Sequence, residues 1–277
     1  MGKIRLIASD LDGTLLTEKK EITDYTKQVL AAAAGEGILF VPATGRAFTS
    51  IPHEVLSLPG VKYVITSNGA AVYSASEGKR IYECLLEPAS VDAILDIPMG
   101  QYSIALETFV NGVPYTEEAY WEDPRAYGAT DFGVEYVRRT RRKVPDIRAF
   151  IRENRDRLDS IDFVCPQAEA KTEIRRFLEN IDNIYITSSI PHLLEISHKN
   201  GGKGQTLAYL AEKEKIRPEE IMAFGDGDND IEMLQFAALG FAVENGSPAC
   251  KKAAGRITES NEKEGVAKAI INILKKV

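Results

Sequence analysis

Five short apolar runs, Ile4–Ser9, Leu39–Ala43, Tyr63–Thr66, Ile221–Phe224 and Leu239–Val243, are each cut off within six residues by Asp, Thr, Ser, Gly or Glu. Runs this short, with little polar alternation, read as strands buried on both faces, which is the habit of parallel sheets. Between them, Tyr25–Ala34, Gln205–Lys213, Ile231–Ala238 and Gly265–Lys275 place apolar residues three and four apart, the period of a helix face. The two ends of the chain therefore predict an α/β fold with a doubly wound, mainly parallel sheet.

The middle reads differently. Ala71–Tyr73 and Arg80–Leu85 flank a Ser- and Gly-containing turn and predict a hairpin; Val91–Ile97 predicts a helix, Ser103–Phe109 a half-exposed strand, and Asn111-Gly112 a turn. Ile161–Cys165, the amphipathic Ala170–Leu178 and Ile184–Ser188 add further α and β pieces. The expected organisation is a core from residues 1–83 and 191–277, with a smaller α+β domain, 84–190, inserted into it.

Composition narrows the partners. The 277 residues hold 34 Lys and Arg against 41 Asp and Glu, a formal charge of −7, which opposes non-specific attraction to nucleic acid or anionic membrane. The one dense basic run, Arg138-Arg-Thr-Arg-Arg-Lys143, reads as a solvated stretch or as an attractor for an anionic substrate. Three cysteines, Cys84, Cys165 and Cys250, have no CxxC spacing, so neither a disulfide framework nor a zinc cage is expected. His53, His192 and His198 are scattered without a nucleophile nearby in sequence and read as structural or surface residues. An aspartate ends the first apolar run too early for a signal sequence or a membrane span, so the expected location is cytoplasmic. Asn245-Gly-Ser matches a glycosylation sequon but is given no weight there.

Chemistry concentrates where the apolar runs stop. Asp10-Leu-Asp12-Gly13-Thr14 puts two carboxylates at the carboxyl end of the first strand, where open α/β sheets bind ligands. Side chains two apart on extended chain point the same way and lie about 6–7 Å apart, so one could attack a phosphorus while the other reaches the leaving oxygen. Taken alone, the pair also reads as a strand-ending turn. Thr44-Gly45-Arg46 again places a hydroxyl and a glycine after a buried strand, though a Thr there can equally be an ordinary helix cap. Lys203 precedes a helix and could neutralise a phosphoryl oxygen or face solvent. Gly225-Asp226-Gly227-Asp228-Asn229-Asp230 packs three carboxylates and an amide behind another strand, a donor set suited to magnesium; the spacing is not that of an EF-hand. Neither a Walker A sequence nor a dinucleotide GxGxxG after the first strand is present.

In order and separation these four segments resemble the four motifs of the haloacid dehalogenase-like superfamily. Thr66-Ser-Asn-Gly-Ala70 and the long insertion resemble its Cof-type subclass, in which the inserted α/β domain is a cap that governs substrate specificity. The resemblance implies a magnesium-dependent phosphatase acting on a small phosphorylated molecule, a sugar phosphate or a phosphorylated cofactor, through an aspartyl-phosphate intermediate. It makes Asp10 the nucleophile and Asp12 the general acid and base. Thr44, Gly45, Lys203 and Asn229 would bind phosphate. Asp10, the Asp12 main-chain carbonyl and Asp226 would hold Mg2+, with Asp230 orienting Lys203 or a metal-bound water. Lys199 is the reserve for Lys203. Tyr102, Tyr115, Tyr120 and Trp121 would either stack on a substrate ring or pack the inserted domain.

Three other readings use the same residues. A receiver domain also phosphorylates an aspartate, but gives no reason for Asp12 or for the insertion. A phosphosugar mutase could use the same aspartate and acid, and a non-hydrolytic binding protein could keep the fold.

Overall fold

The computed structural model describes residues 3–99 and 102–274. The chain forms two compact units. One holds the residues up to Gly45, Ile51–Tyr82 and those from Gly202 on; the other holds Arg46–Ser50 and Glu83–Gly201. The chain opens with β1 (Leu6–Ser9), β2 (Leu39–Pro42), β3 (Tyr63–Thr66), β4 (Ala71–Ser74) and β5 (Arg80–Glu83). Then come β6 (Ala105–Val110), β7 (Val113–Glu117), β8 (Arg142–Val144), β9 (Leu158–Val164), β10 (Ile184–Thr187) and β11 (Leu193–His198). The last three are β12 (Ile221–Gly225), β13 (Leu239–Val243) and β14 (Arg256–Thr258).

In the first unit a five-stranded sheet runs β14-β13-β12-β1-β2, parallel throughout. Its central strands β1, β12 and β13 are buried at every residue, which is why they carry no alternation. Leu6, Ala8, Val41, Ile221 and Ala223 pack with Leu207 and Leu210 of the helix Lys203–Lys213 and with Met233 and Leu234 of the helix Ile231–Phe236. The helix Asp24–Gly35 starts where the Thr23 hydroxyl accepts the Thr26 N–H at 3.1 Å. The last helix is Gly265–Leu274; Lys275, expected in it, lies outside the described residues.

Two expectations for this sheet change. The run Tyr63–Thr66 does not join the parallel sheet as a full strand: single parallel bridges, Phe40 to Val61 and Ala43 to Ile65, link it to the β2 edge, and its other side pairs antiparallel with β4. The fifth parallel strand is instead β14, whose Arg-Ile-Thr sequence is too short and too exposed to read as buried β.

The second unit is a six-stranded sheet, β10-β11-β9-β6-β7-β8, antiparallel except between β7 and β8. The β6–β7 turn uses Asn111 and Gly112, both at positive φ, as that dipeptide predicts. The expected end of this insertion, residue 190, falls short of the observed one. Leu193–His198 pairs with β9 and β10, and the chain leaves the unit only after Gly201.

One face of this sheet buries Leu106, Ile161, Phe163, Leu194 and Ile196 against the helices Pro88–Leu95, Ile147–Glu153 and Ala168–Leu178. On the other face Glu107, Asp162 and Glu195 stand side by side on neighbouring strands, all buried. This is why β6 is fully buried where a half-exposed strand was expected: Arg141 covers Glu107 with two hydrogen bonds of 2.8 and 2.9 Å. Arg141 is thus a buried partner within the run expected to be solvated, whereas Arg139, Arg142 and Lys143 are exposed. Tyr120 is buried edge-on to Tyr127, and Tyr115 packs against Phe150, so both serve as core. Among the described residues no helix is long and apolar enough to cross a membrane.

Burial, and then the like charges of Glu195 and Glu107, push the Asp162 carboxyl well above the usual range, with Arg141 and Ser160 opposing. A carboxyl whose folded pKa is raised takes stability from the fold as pH climbs from the unfolded value through the folded one. Asp162→Asn is therefore expected to stabilise the second unit at pH 7 by about 1–3 kcal/mol, with no gain at pH 3. Urea unfolding followed by the single tryptophan, Trp121, measures it.

Candidate active site

The carboxyl ends of β1, β2 and β12 lie side by side, because Ser9 is in register with both Pro42 and Phe224. Asp10 follows β1 directly, its N–H donating to the Phe224 carbonyl at 3.0 Å. Lys203, first residue of its helix, is fully buried and sends its ammonium to Asp10 Oδ1 at 2.7 Å and to Asp230 Oδ1 at 2.7 Å. The other Asp230 oxygen accepts the N–H groups of Asp226 and Gly227, each at 2.9 Å. One lysine thus fastens the loop after β1 to the loop after β12. Lys199, the reserve, lies in the other unit and hydrogen-bonds Asn183.

Two glycines make room. A Cβ on Gly204 would come within 2.6 Å of the Glu232 main-chain carbon, so the start of the lysine's helix presses on the next helix. Gly13 has φ +85°, and a Cβ there would meet Asp226 Oδ2 at 2.6 Å. The loops touch again where Thr14 Oγ1 donates to Asp226 Oδ1 at 2.6 Å.

Asp12 is more open than Asp10: its side chain is 36% exposed and Lys20 Nζ lies 2.9 Å from its Oδ1. Thr44 is buried; its N–H donates to the Ile65 carbonyl and its own carbonyl accepts the Asn68 N–H, both at 3.0 Å. Asn229 donates from Nδ2 to Asn68 Oδ1 at 2.9 Å, which joins the loop after β12 to the turn after β3. Arg46 parts from Thr44 and Gly45 here, since it belongs to the second unit, its guanidinium 5.1 Å from the Tyr136 ring centre.

The electrostatics leave a surplus of negative charge. Burial opposes the Lys203 charge, but Asp10 and Asp230 outweigh it and hold the ammonium protonated beyond the ordinary lysine range. Burial raises the Asp10 carboxyl well above its usual value; Lys203 opposes this, while Asp230, Asp226 and Asp12 add to it. The Asp226 carboxyl is pushed up to about 6, by burial first and by Asp230 second. Carboxylate oxygens of Asp10, Asp226 and Asp230 lie within 4.8 Å of one another. Three acids around one ammonium, all hard oxygen donors, fit a divalent cation such as magnesium. Since both Asp230 oxygens already accept internal donors, Asp10 and Asp226 are the better ligands.

Some contributors were missed by the sequence reading. Asn68, at φ 54°, links the Thr44 and Asn229 segments; its Ser-Asn-Gly turn after a buried strand was the available signal. Asn245 Nδ2 donates to the Gly13 carbonyl at 2.7 Å and the Ser247 N–H to the Asp226 carbonyl at 2.8 Å, so the stretch dismissed as a sequon braces both acidic loops.

A family model described as haloacid dehalogenase-like hydrolase matches residues 7–270. The chain is 32% identical to a putative phosphatase of Streptococcus pyogenes serotype M6, over 96% of this chain and 97% of that one. It is 27% identical to the 5-amino-6-(5-phospho-D-ribitylamino)uracil phosphatase of Bacillus subtilis, over 96% and 94%. A solved haloacid dehalogenase-like hydrolase of Bacteroides thetaiotaomicron superposes with a TM-score of 0.79 at 27% identity, covering 98% of this chain and all of that one.

Removing the lysine charge should expose its role in the fold. Lys203→Met leaves Asp10 and Asp230 buried without a cation and is expected to cost about 3–5 kcal/mol at pH 7. The loss should shrink at pH 4 as the carboxyls take up protons, and urea titrations at the two pH values measure both terms.

Proposed function

Since this chain belongs to the haloacid dehalogenase-like hydrolase family, we propose that it is a magnesium-dependent phosphatase that releases phosphate from a small phosphomonoester through a phosphorylated Asp10. The observation that carries the reading is the Lys203 ammonium seated on Asp10 at the end of β1, beside Asp226. The phosphatases among its relatives support it.

In the first half-reaction an Asp10 carboxylate oxygen attacks phosphorus while the bond to the leaving oxygen breaks. Lys203 anchors that carboxylate and offers positive charge to the phosphoryl oxygens, and Thr44 and Gly45 line the phosphate's other side with a hydroxyl and an N–H. Asn229, held by Asn68, adds an amide donor. Asp12 is the acid that protonates the leaving oxygen. It then takes a proton from the water that attacks the same phosphorus, which breaks the phosphorus–oxygen bond to Asp10 and frees phosphate.

Lys20 Nζ, 2.9 Å from Asp12 Oδ1, holds the Asp12 side chain in place for both halves of that cycle. When bound by Asp10, the Asp12 main-chain carbonyl and Asp226, magnesium supplies the charge that lets an anionic nucleophile approach an anionic phosphate. Asp230 keeps Lys203 and the Asp226 loop in place. The proposed substrate class is sugar phosphates, then phosphorylated cofactors.

The test is phosphate release from a panel of small phosphomonoesters, with magnesium and with chelator. Parent protein should release phosphate only with the metal. Asp10→Asn should lower kcat at least about a thousandfold. Asp12→Asn should lower it by about 10²–10⁴ with little change in KM. Metal-independent release, or an active Asp10→Asn, would contradict the reading.

A further inference from the structure

A second cluster of reactive groups lies wholly within the six-stranded unit. Cys84 follows β5 directly, and His198 ends β11, 114 residues further along the chain. Sequence spacing gave His198 no nucleophile partner; the fold supplies one, with Cys84 Sγ 3.1 Å from His198 Nδ1. The far side of the ring faces a carboxylate, Nε2 lying 3.4 Å from Glu87 Oε1. Asn183 Nδ2 holds the other Glu87 oxygen at 2.7 Å. Asn183, His198 and Lys199 all keep the Glu87 carboxyl below its usual range, Asn183 most.

The hydrogen bonds determine which ring nitrogen carries the proton. The Asn200 main-chain N–H points at His198 Nδ1 at 3.1 Å, and an N–H can only donate. Nδ1 is therefore the acceptor, Nε2 carries hydrogen toward Glu87, and the Cys84 thiol is the donor to Nδ1. That is the arrangement in which an imidazole takes a thiol proton while a carboxylate orients the ring. Asn200 is exposed, so water can accept its N–H once Nδ1 is protonated.

The other cysteines lack this. Burial pushes the Cys165 thiol up to about 11 and the Cys250 thiol up to about 12, whereas Cys84 is half-buried and within reach of solvent. A metal role does not compete. Among the described residues the group tight enough for an ion is Asp10, Asp226 and Asp230, while Cys84 and Glu87 stand on opposite sides of the imidazole.

We propose that Cys84 is a nucleophilic, oxidant-sensitive thiol, with His198 as its base and Glu87 as the positioning group, and that its co-reactant is a small hydroperoxide. The thiolate sulfur attacks the terminal oxygen and the O–O bond breaks. The departing alkoxide or hydroxide takes the proton from His198, and sulfur ends as a sulfenic acid, oxidised by two electrons as the peroxide is reduced. Oxidation removes the thiol proton that joins Cys84 to His198, one residue beyond the chain's departure from the first unit at Glu83.

The test treats intact protein with hydrogen peroxide at pH 7 in the presence of dimedone, which traps sulfenic acid, and follows the three cysteine peptides by mass spectrometry. Cys84 is expected to be trapped at least about ten times faster than N-acetylcysteine, with Cys165 and Cys250 untouched, and His198→Gln should slow it about tenfold. Circular dichroism checks that the variant folds. If it does not, the comparison with N-acetylcysteine and a slowed Glu87→Gln decide. Trapping no faster than the free thiol, or unchanged in a folded His198→Gln, overturns the proposal.

Discussion

A buried ammonium between two buried carboxylates holds this site together. Lys203 has no exposed side-chain surface, so its charge is affordable only because Asp10 and Asp230 lie 2.7 Å away on either side. Each of those acids is in turn tied to a strand end: Asp10 through its N–H to β12, Asp230 through the N–H groups of Asp226 and Gly227. Remove the ammonium and the loops after β1 and β12 face each other with like charge.

The same arrangement suits the second cation proposed for this site. One lysine cannot neutralise Asp10, Asp226 and Asp230 together; burial first, and the neighbouring acids after it, raise the carboxyls of Asp10 and Asp226. Thr14, Asn245 and Ser247 keep the acidic loops in contact through hydrogen bonds that do not reduce the charge. The cation and phosphate binding proposed for this site would gain from such a surplus.

Much of the first unit was legible in the sequence because its strands are buried on both faces. Uniform runs such as Ile221–Phe224 carry one meaning, and the residues just after them, Asp10, Thr44 and Asp226, mark the edge of the sheet where the site is proposed. The second unit was harder to read, since burial there does not follow polarity. Glu107, Asp162 and Glu195 occupy buried strand positions that alternation assigns to solvent, and only the distant Arg141 accounts for Glu107. Asn68 and Asn245 received no role from the sequence because their partners, Asn229 and Gly13, are more than a hundred residues away. The pairing of Cys84 with His198 likewise joins residues 114 apart in the chain, which no local spacing encodes.

The central step proposed for this site is phosphorylation of Asp10 during turnover. It is tested most directly by acid-quenching the magnesium-loaded protein within milliseconds of adding p-nitrophenyl phosphate and mapping the phosphate by peptide mass spectrometry. An acyl phosphate is expected on the peptide containing Asp10, appearing before free phosphate accumulates. Steady turnover with no phosphorylated peptide, or with phosphate on a different residue, would contradict it.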